Sequence, residues 1–392
     1  MMKSIKKFLV GKFPLFSDQL ILARAINENF KKTKHVISQT RPNLRFNLPL
    51  LMPFLRCDGV GFQATQRICI LLLSRQTNTT YIHIPFERLA HLNIDNSTRE
   101  EWERFLNLGQ GETQLSNIKS PLMRLGILRA FYIFQRQYTK PNIRWKGIYD
   151  KIQNIRDDST TSERYQIFDD EIMSNCLQNK LQMDNDFIKS IQDKFNHNGF
   201  EPTESFYNDK HLNIAIHIRR GDVSHAIKSK TSEVQYTQRY VGNTYYIDLI
   251  SRLDTLFQSS HKKPHFHIFS DGYREEFPEF TFRSGSEAIL KRNDDEWINN
   301  IYFHLRSNSF DTLYHMTKAD IFIPGKSSFS FLATVLTKSF ILYEKDIFKF
   351  HVFDLLNEYI KNSKRFIDLR TIDQNICQQI MMDREGVKWR GR

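Results

Sequence analysis

Leu212-Asn213-Ile214-Ala215-Ile216-His217-Ile218-Arg219-Arg220-Gly221-Asp222 is the stretch on which the reading of the fold turns. Leu212, Ile214, Ile216 and Ile218 alternate with smaller or polar residues, the period of a β-strand. The strand ends in two arginines, a glycine and an aspartate. Adjacent arginines at a strand end do not both face a core. One can fork two hydrogen bonds onto a phosphate, and the other can pair with Asp222 and fix the turn.

The chain after this strand repeats the same logic. Residues 243–257 place Tyr246, Leu249, Leu253 and Leu256 on one helical face. HFHIFS (265–270) predicts a second strand, closed by Asp271-Gly272. Ser309 is expected to cap a helix carrying Phe310, Leu313 and Met316. ADIFIP (319–324) predicts a third strand, Gly325–Ser328 a turn, 328–338 a helix and SFILY (339–343) a fourth strand. Strands alternating with helices imply a parallel sheet with crossover helices.

The first half is less regular. FNLPLLMPFL (46–55) is strand-like, Asp58-Gly59 and Gly61 make a turn, Ala64, Ile68, Leu71 and Leu72 recur at helical spacing, and TYIHIP (80–85) reads as a strand. Together these form one βαβ unit. Helices are also expected over 17–32 and after the Ser97/Glu100 capping box. Residues 150–210 turn charged and mostly helical, ending in a Gly/Pro/Asn stretch near 196–208. The expected division is an N-terminal domain over 1–205 with a helical insertion from about 100, a C-terminal domain over 206–345, and a helical tail (346–392) packing back on the N-terminal domain.

Composition narrows the function classes. The chain has 392 residues, 40% hydrophobic, with 56 Lys and Arg against 44 Asp and Glu and a net charge of +12. This is a globular composition with an affinity for anions. No recognition-helix signature or paired zinc ligands accompany the charge, which disfavours nucleic acid. The four cysteines, Cys57, Cys69, Cys176 and Cys377, form no CxxC pair and read as reduced thiols in a cytoplasmic protein. The start is basic, and peripheral contact with an anionic membrane is a possible use of it. Sequons at Asn78 and Asn96 carry little without an export signal.

In open α/β sheets, ligands bind beyond the carboxyl ends of the strands. Three such ends carry unusual polar groups: His217–Asp222, Ser270-Asp271, and Gly325-Lys326-Ser327-Ser328-Phe329-Ser330. The last is a glycine turn opening a helix, whose free N–H groups and hydroxyls suit an anion. It is no triphosphate P-loop, because Asp320 stands where the first glycine would be. Asp271, and with similar status Asp320, can accept from the ring N–H groups of a base, or simply make turns. Gly59, Gly61 and Gln63 are expected to bring backbone to a substrate in the cleft. Asp184-Asn185-Asp186 resembles a metal-holding DxD pair but lies in a charged helical stretch, where a solvated face is the expectation. His83 and His91 flank Pro85 and do not share a helical face as metal ligands would.

HIRRGD resembles the HxRRxD motif of the α1,2-, α1,6- and protein O-fucosyltransferase superfamily. GVGFQ, TYIHIPF, IFSDG and ADIFIPGKSSFSFLA fall in the order of that family, and look most like bacterial and algal fucosyltransferase-like proteins of polysaccharide assembly. The recognisable part covers 55–92 and 211–343. The resemblance implies a GT-B fold, two Rossmann-like domains facing across a cleft. It implies GDP-fucose or another nucleotide sugar as donor, a glycan or glycolipid acceptor, and inverting transfer with no metal or other cofactor. By position, Arg219 would hold the β-phosphate with Arg220 and Asp222 in support. Lys326, Ser327, Ser328 and Phe329 would line the donor phosphates, His217 and Ser270 the same site, and Asp271 and Asp320 the nucleoside. One departure is Phe62, where several members carry asparagine before the glutamine. Asp58, His83 and Glu87 are the candidate bases. The rival expectations are the same fold with a different sugar nucleotide, a basic protein binding nucleic acid or glycan, and an inactive lectin-like descendant.

Overall fold

The computed structural model describes residues 50–53, 59–76, 80–86, 89, 96–114, 165–168, 182–228, 238–292, 294–344 and 351–389. The helix expected over 17–32, and Asp58, Glu87 and His91, lie outside these. So do Cys57 and Cys176, while Cys69 and Cys377 are buried and free. Among the described residues no helix is long and apolar enough to cross a membrane.

The described chain divides into two compact units. The first comprises 50–53, 73–76, 80–84, 111–114 and 165–168. Its strands β1 (Leu50–Pro53), β2 (Thr80–His83), β3 (Thr113–Gln114) and β4 (Tyr165–Phe168) form a parallel sheet in the order β3-β2-β1-β4. Helix α1 (Val60–Gln76) joins β1 to β2, the crossover that the glycine turn and the spacing of Ala64, Ile68 and Leu71 predicted.

The second unit comprises 59–72, 85–110 where described, and everything from 182 onward. Its sheet holds eight strands in the order β12-β11-β10-β5-β6-β9-β8-β7. β5 is Leu212–Ile218, β6 Pro264–Ser270, β7 Thr281–Phe282, β8 Glu287–Lys291, β9 Trp297–Leu305, β10 Ile321–Ile323, β11 Phe340–Tyr343 and β12 Phe366–Asp368. β12 through β9 run parallel, and β8 and β7 add an antiparallel edge. Every residue of β5 is buried. Helix α4 (Gly221–Lys228) follows it, and the strand's Leu/Ile face packs with Tyr246, Leu249, Ile250, Leu253 and Phe257 of helix α5 (Asn243–Phe257). Successive strand side chains point to opposite faces, so Asn213 and His217 take the other side, toward α6 (Ser309–Lys318) and α7 (Ser328–Leu336).

Three expectations are corrected. Residues 182–205 do not join the first sheet. Helix α3 (Asn185–Asn196) buries Phe187, Ile188, Ile191 and Phe195 and packs on α7 and on α2 (Asn96–Leu106), because its apolar stripe fits the outer face of the second sheet's helices. The chain after β11 does not return to the first unit either. After α8 (Asn357–Asn362), β12 extends the second sheet, and α9 (Gln374–Trp389) packs on α5 with Cys377, Ile380 and Met381 in the core. Finally, Ser309 does not cap α6. Asn308 does, one residue earlier, accepting from Phe310 N at 2.8 Å. The pairing of 281–305 into β7, β8 and β9 carried no clear sequence expectation.

Candidate functional site

The carboxyl ends of β5, β6 and β10 lie side by side, so the polar segments that follow them share one rim. Arg219 is half-buried there. One terminal nitrogen pairs with Asp222 Oδ1 at 2.6 Å and the other with Asp271 Oδ2. Asp271 also accepts from the Arg220 backbone N–H at 2.8 Å. Asp271 therefore clamps the HIRRGD turn from the neighbouring strand. Each of its oxygens already accepts one hydrogen bond within the rim. A guanidinium carries five N–H donors in a fixed fork. Two are engaged here, so the carboxylates orient Arg219 and leave three N–H groups.

Arg220 is not the partner of Asp222. It is fully buried, with its guanidinium 4.6 Å from the Tyr240 ring centroid and 5.3 Å from that of Phe277. It donates to Asn243 Oδ1 at 2.5 Å and to Arg219 O at 2.9 Å. Its Nε has no partner among the described residues. The aromatic faces compensate the buried charge. The roles of the two arginines follow from the strand pleat: Arg219 leaves the sheet at the rim, and Arg220 turns beneath α5.

On the β10 side, Ser327 caps α7, accepting from Ser330 N at 3.0 Å. Ser330, fully buried, accepts from Gly325 N at 2.9 Å. Its oxygen lies 2.5 Å from His217 Nδ1, and Ser327 Oγ lies 3.5 Å from the same nitrogen. Burial, reinforced by the Arg219 charge, lowers the His217 pKa to about 3. His217 is thus a neutral spacer between the arginine turn and the serine turn. The Phe329 ring sits 5.9 Å from it. Ser328 and Lys326 are half-buried at the rim. Ser270 is turned inward, accepting from Gly272 N at 3.1 Å.

The glycines explain how closely these parts approach. A methyl group on Gly61 would fall 2.6 Å from Phe329 N and 2.7 Å from its Cα, so the start of α1 is pressed on the backbone opening α7. Gly59 O accepts from Phe62 N and Gln63 N at 3.1 Å, closing the first turn of α1. Gly59 has open space around it, whereas Gln63 is buried and does not face solvent. The start of the glycine loop thus meets the Ser-rich turn, and Gln63 packs inward because it lies one turn into a buried helix.

Asp320 is a correction. It accepts from the Asn213 backbone at 2.8 Å, at the amino end of β5. Six residues of strand separate that point from Arg219, about 20 Å at strand rise. His83 is buried in β2 and hydrogen-bonded to the Tyr81 hydroxyl at 3.1 Å. Asp184 caps α3, accepting from Phe187 N at 2.7 Å, which gives its carboxylate a structural task. Sequence reasoning missed Asn243 and the role of Ser330. The second stood two residues past Ser328 in the Ser-rich motif. The first had no local signal.

No protein-family model matches the chain, and no curated protein does. Among solved structures, it is similar to the fucosyltransferase NodZ from Bradyrhizobium, with 12% identity over 75% of this chain and 94% of that one and a TM-score of 0.34. It is also similar to POFUT1 in complex with GDP (11% identity, 75% and 96% covered, TM-score 0.38). POFUT1 in complex with GDP-fucose gives 12% identity, the same coverage and a TM-score of 0.38.

Proposed function

We propose that the chain is an inverting, metal-independent glycosyltransferase that moves fucose from GDP-fucose to a hydroxyl of a glycan acceptor. The observation that carries this reading is the joint at His217, where the arginine turn and the start of α7 meet. The HxRRxD-like motif supplies the choice of donor.

In such a transfer, negative charge grows on the leaving diphosphate as its bond to the sugar breaks. Preorganised donors aimed at that charge lower the barrier. Three N–H groups of Arg219, held in place by Asp222 and Asp271, would meet it from the β5 side. Backbone N–H groups at Ser328 and Phe329, with the α7 dipole and the Lys326 ammonium, would meet it from the β10 side. Buried Arg220 adds a fixed positive charge behind the turn and holds the Arg219 carbonyl. The reading needs no metal, because these groups carry the charge compensation.

The test is calorimetric titration of the full chain with GDP, GDP-fucose, UDP and ADP, then of Arg219→Ala. GDP and GDP-fucose are expected to bind and the others to bind weakly. Arg219→Ala is expected to cost about 2.7–4 kcal/mol of transition-state stabilisation, roughly a hundred- to a thousandfold in turnover. Unchanged donor binding and turnover in this variant would end the assignment. Tight binding of UDP or ADP in place of GDP would keep the transferase and change the sugar nucleotide.

A further inference from the structure

A cavity opens on the same rim, one strand further from α7, apart from the groups that meet the diphosphate. It has a volume of about 500 Å³ and lies beyond the carboxyl ends of β6 and β9. Its walls include Gly272, Tyr273, Arg274 and Glu275 after β6, Arg306 after β9, and Glu204. It shares the Asp271-Gly272 turn with the Arg219 cluster, because a methyl group on Gly272 would fall 2.8 Å from Arg220 Cβ.

Two features make it a built site. Arg306 has φ +51°, a left-handed backbone that favours glycine, yet a long cation stands there. Its backbone N–H is tied to Ser270 O at 2.8 Å. Among the described residues its guanidinium has no ion pair, only the face of Tyr273, 4.5 Å from the ring centroid. Residues held in this region cluster at ligand clamps and active sites. Tyr273 in turn is 55% exposed, a ring held by a cation on one face.

The chemistry of the walls selects the ligand. Arg274 and Arg306 balance Glu204 and Glu275, so a phosphate meets two carboxylates and an apolar ligand would strip four charges of water. A planar base would find one ring to stack on, Tyr273, and its binding would show as a dependence of GDP affinity on that ring. The other rings here offer no free face: Phe206 lies between His304 and His315 at 4.0 and 4.2 Å, and Phe303 is buried among Phe277, Phe280 and Phe282. A neutral, polyhydroxylated molecule fits. Its hydroxyls donate to carboxylates and accept from guanidinia, and its C–H face covers one aromatic ring.

We propose that this cavity is a saccharide subsite, with Tyr273 as the platform and Arg306 as the cation that holds its ring from the other face. That the bound sugar belongs to the acceptor rests on the transferase reading; that a neutral sugar binds does not.

The experiment is titration of the full chain, followed by saturation-transfer NMR, with cellotetraose, maltotetraose and mannotetraose, without donor. At least one is expected to bind. Tyr273→Ala and Arg306→Gly are each expected to weaken it at least tenfold while GDP affinity holds. Arg306→Gly also relieves the left-handed backbone, so its melting temperature should hold or rise, separating lost binding from lost folding. Failure of all three probes, or binding unmoved by both variants, overturns the proposal. Lost GDP affinity in both variants also overturns it, by giving the cavity to the base. Arg219→Ala is the separate control. Sugar binding kept there with GDP binding also unchanged sinks the transferase reading and leaves the subsite standing.

Discussion

Gly325 lies against the carbonyl of His217 so closely that a methyl group at 325 would sit 2.5 Å from that oxygen. The end of β5 and the turn opening α7 are therefore packed backbone to backbone, and the two signals on the rim form one structure.

Gly325→Ala and Gly61→Ala both drive a methyl group into backbone that cannot rotate away. Each is expected to lower unfolding free energy by about 1–3 kcal/mol, the usual range for overpacking. Urea denaturation measures it. Gly59→Ala, with open space around it, serves as the comparison and should change little.

Arg220→Lys keeps the charge and loses the planar fork that reaches Asn243 and Arg219 O. Losing hydrogen bonds of a buried charged group is expected to cost about 1.5–3 kcal/mol. A loss below about 1 kcal/mol in denaturant unfolding would contradict the buried role.

A ladder of imidazoles crosses the α6 face of the sheet. His265 stacks on His211 at 3.7 Å, His267 Nδ1 lies 3.1 Å from His304 Nε2, and His315 stacks beyond Phe206. Burial first, then neighbouring imidazoles, lowers His304 to about 3, His265 to about 4, and His267 well below its ordinary value. These bases stay neutral when folded and take protons when unfolded below pH about 6.5. Stability is fully present above that pH and falls as pH drops toward the folded values. Unfolding should take up at least about two protons between pH ~6 and ~4.5, read from the pH dependence of urea midpoints. His304→Phe should remove about one of them.

Asp184→Ala tests the capping role against a metal-binding one. Loss of the cap on α3 is expected to cost about 1 kcal/mol. Turnover should not respond to added divalent cations in either form. A cation-dependent activity lost in this variant would restore the DxD reading.

Much of the architecture was readable in the chain. Alternation placed β5 at its observed bounds, and β6, β10 and β11 within about two residues of their ends. The glycine turn before Ser328 and the helix after it were equally plain. These signals are local: a strand's period or a helix's stripe is written within about ten residues. The edge formed by β7, β8 and β9 was harder, because WINNIYFHL mixes polar and apolar residues without a clean period.

Sequence alone determined that a parallel sheet ends in Arg219, Asp271 and the 325–330 turn on one rim, since strand order within a βα repeat and the hand of its crossovers bring carboxyl ends together. Only the tertiary structure decided what each polar group does there. Asp271 clamps Arg219 from 52 residues away, Asp320 sits at the far end of the strand beside Asn213, and Gly61 presses on Phe329. Which face of the pleat a side chain leaves by, and which carboxylate lies within an ion pair's reach, depend on register between strands. Charge and hydrogen bonding act over a few ångströms in space, and no spacing along the chain encodes that.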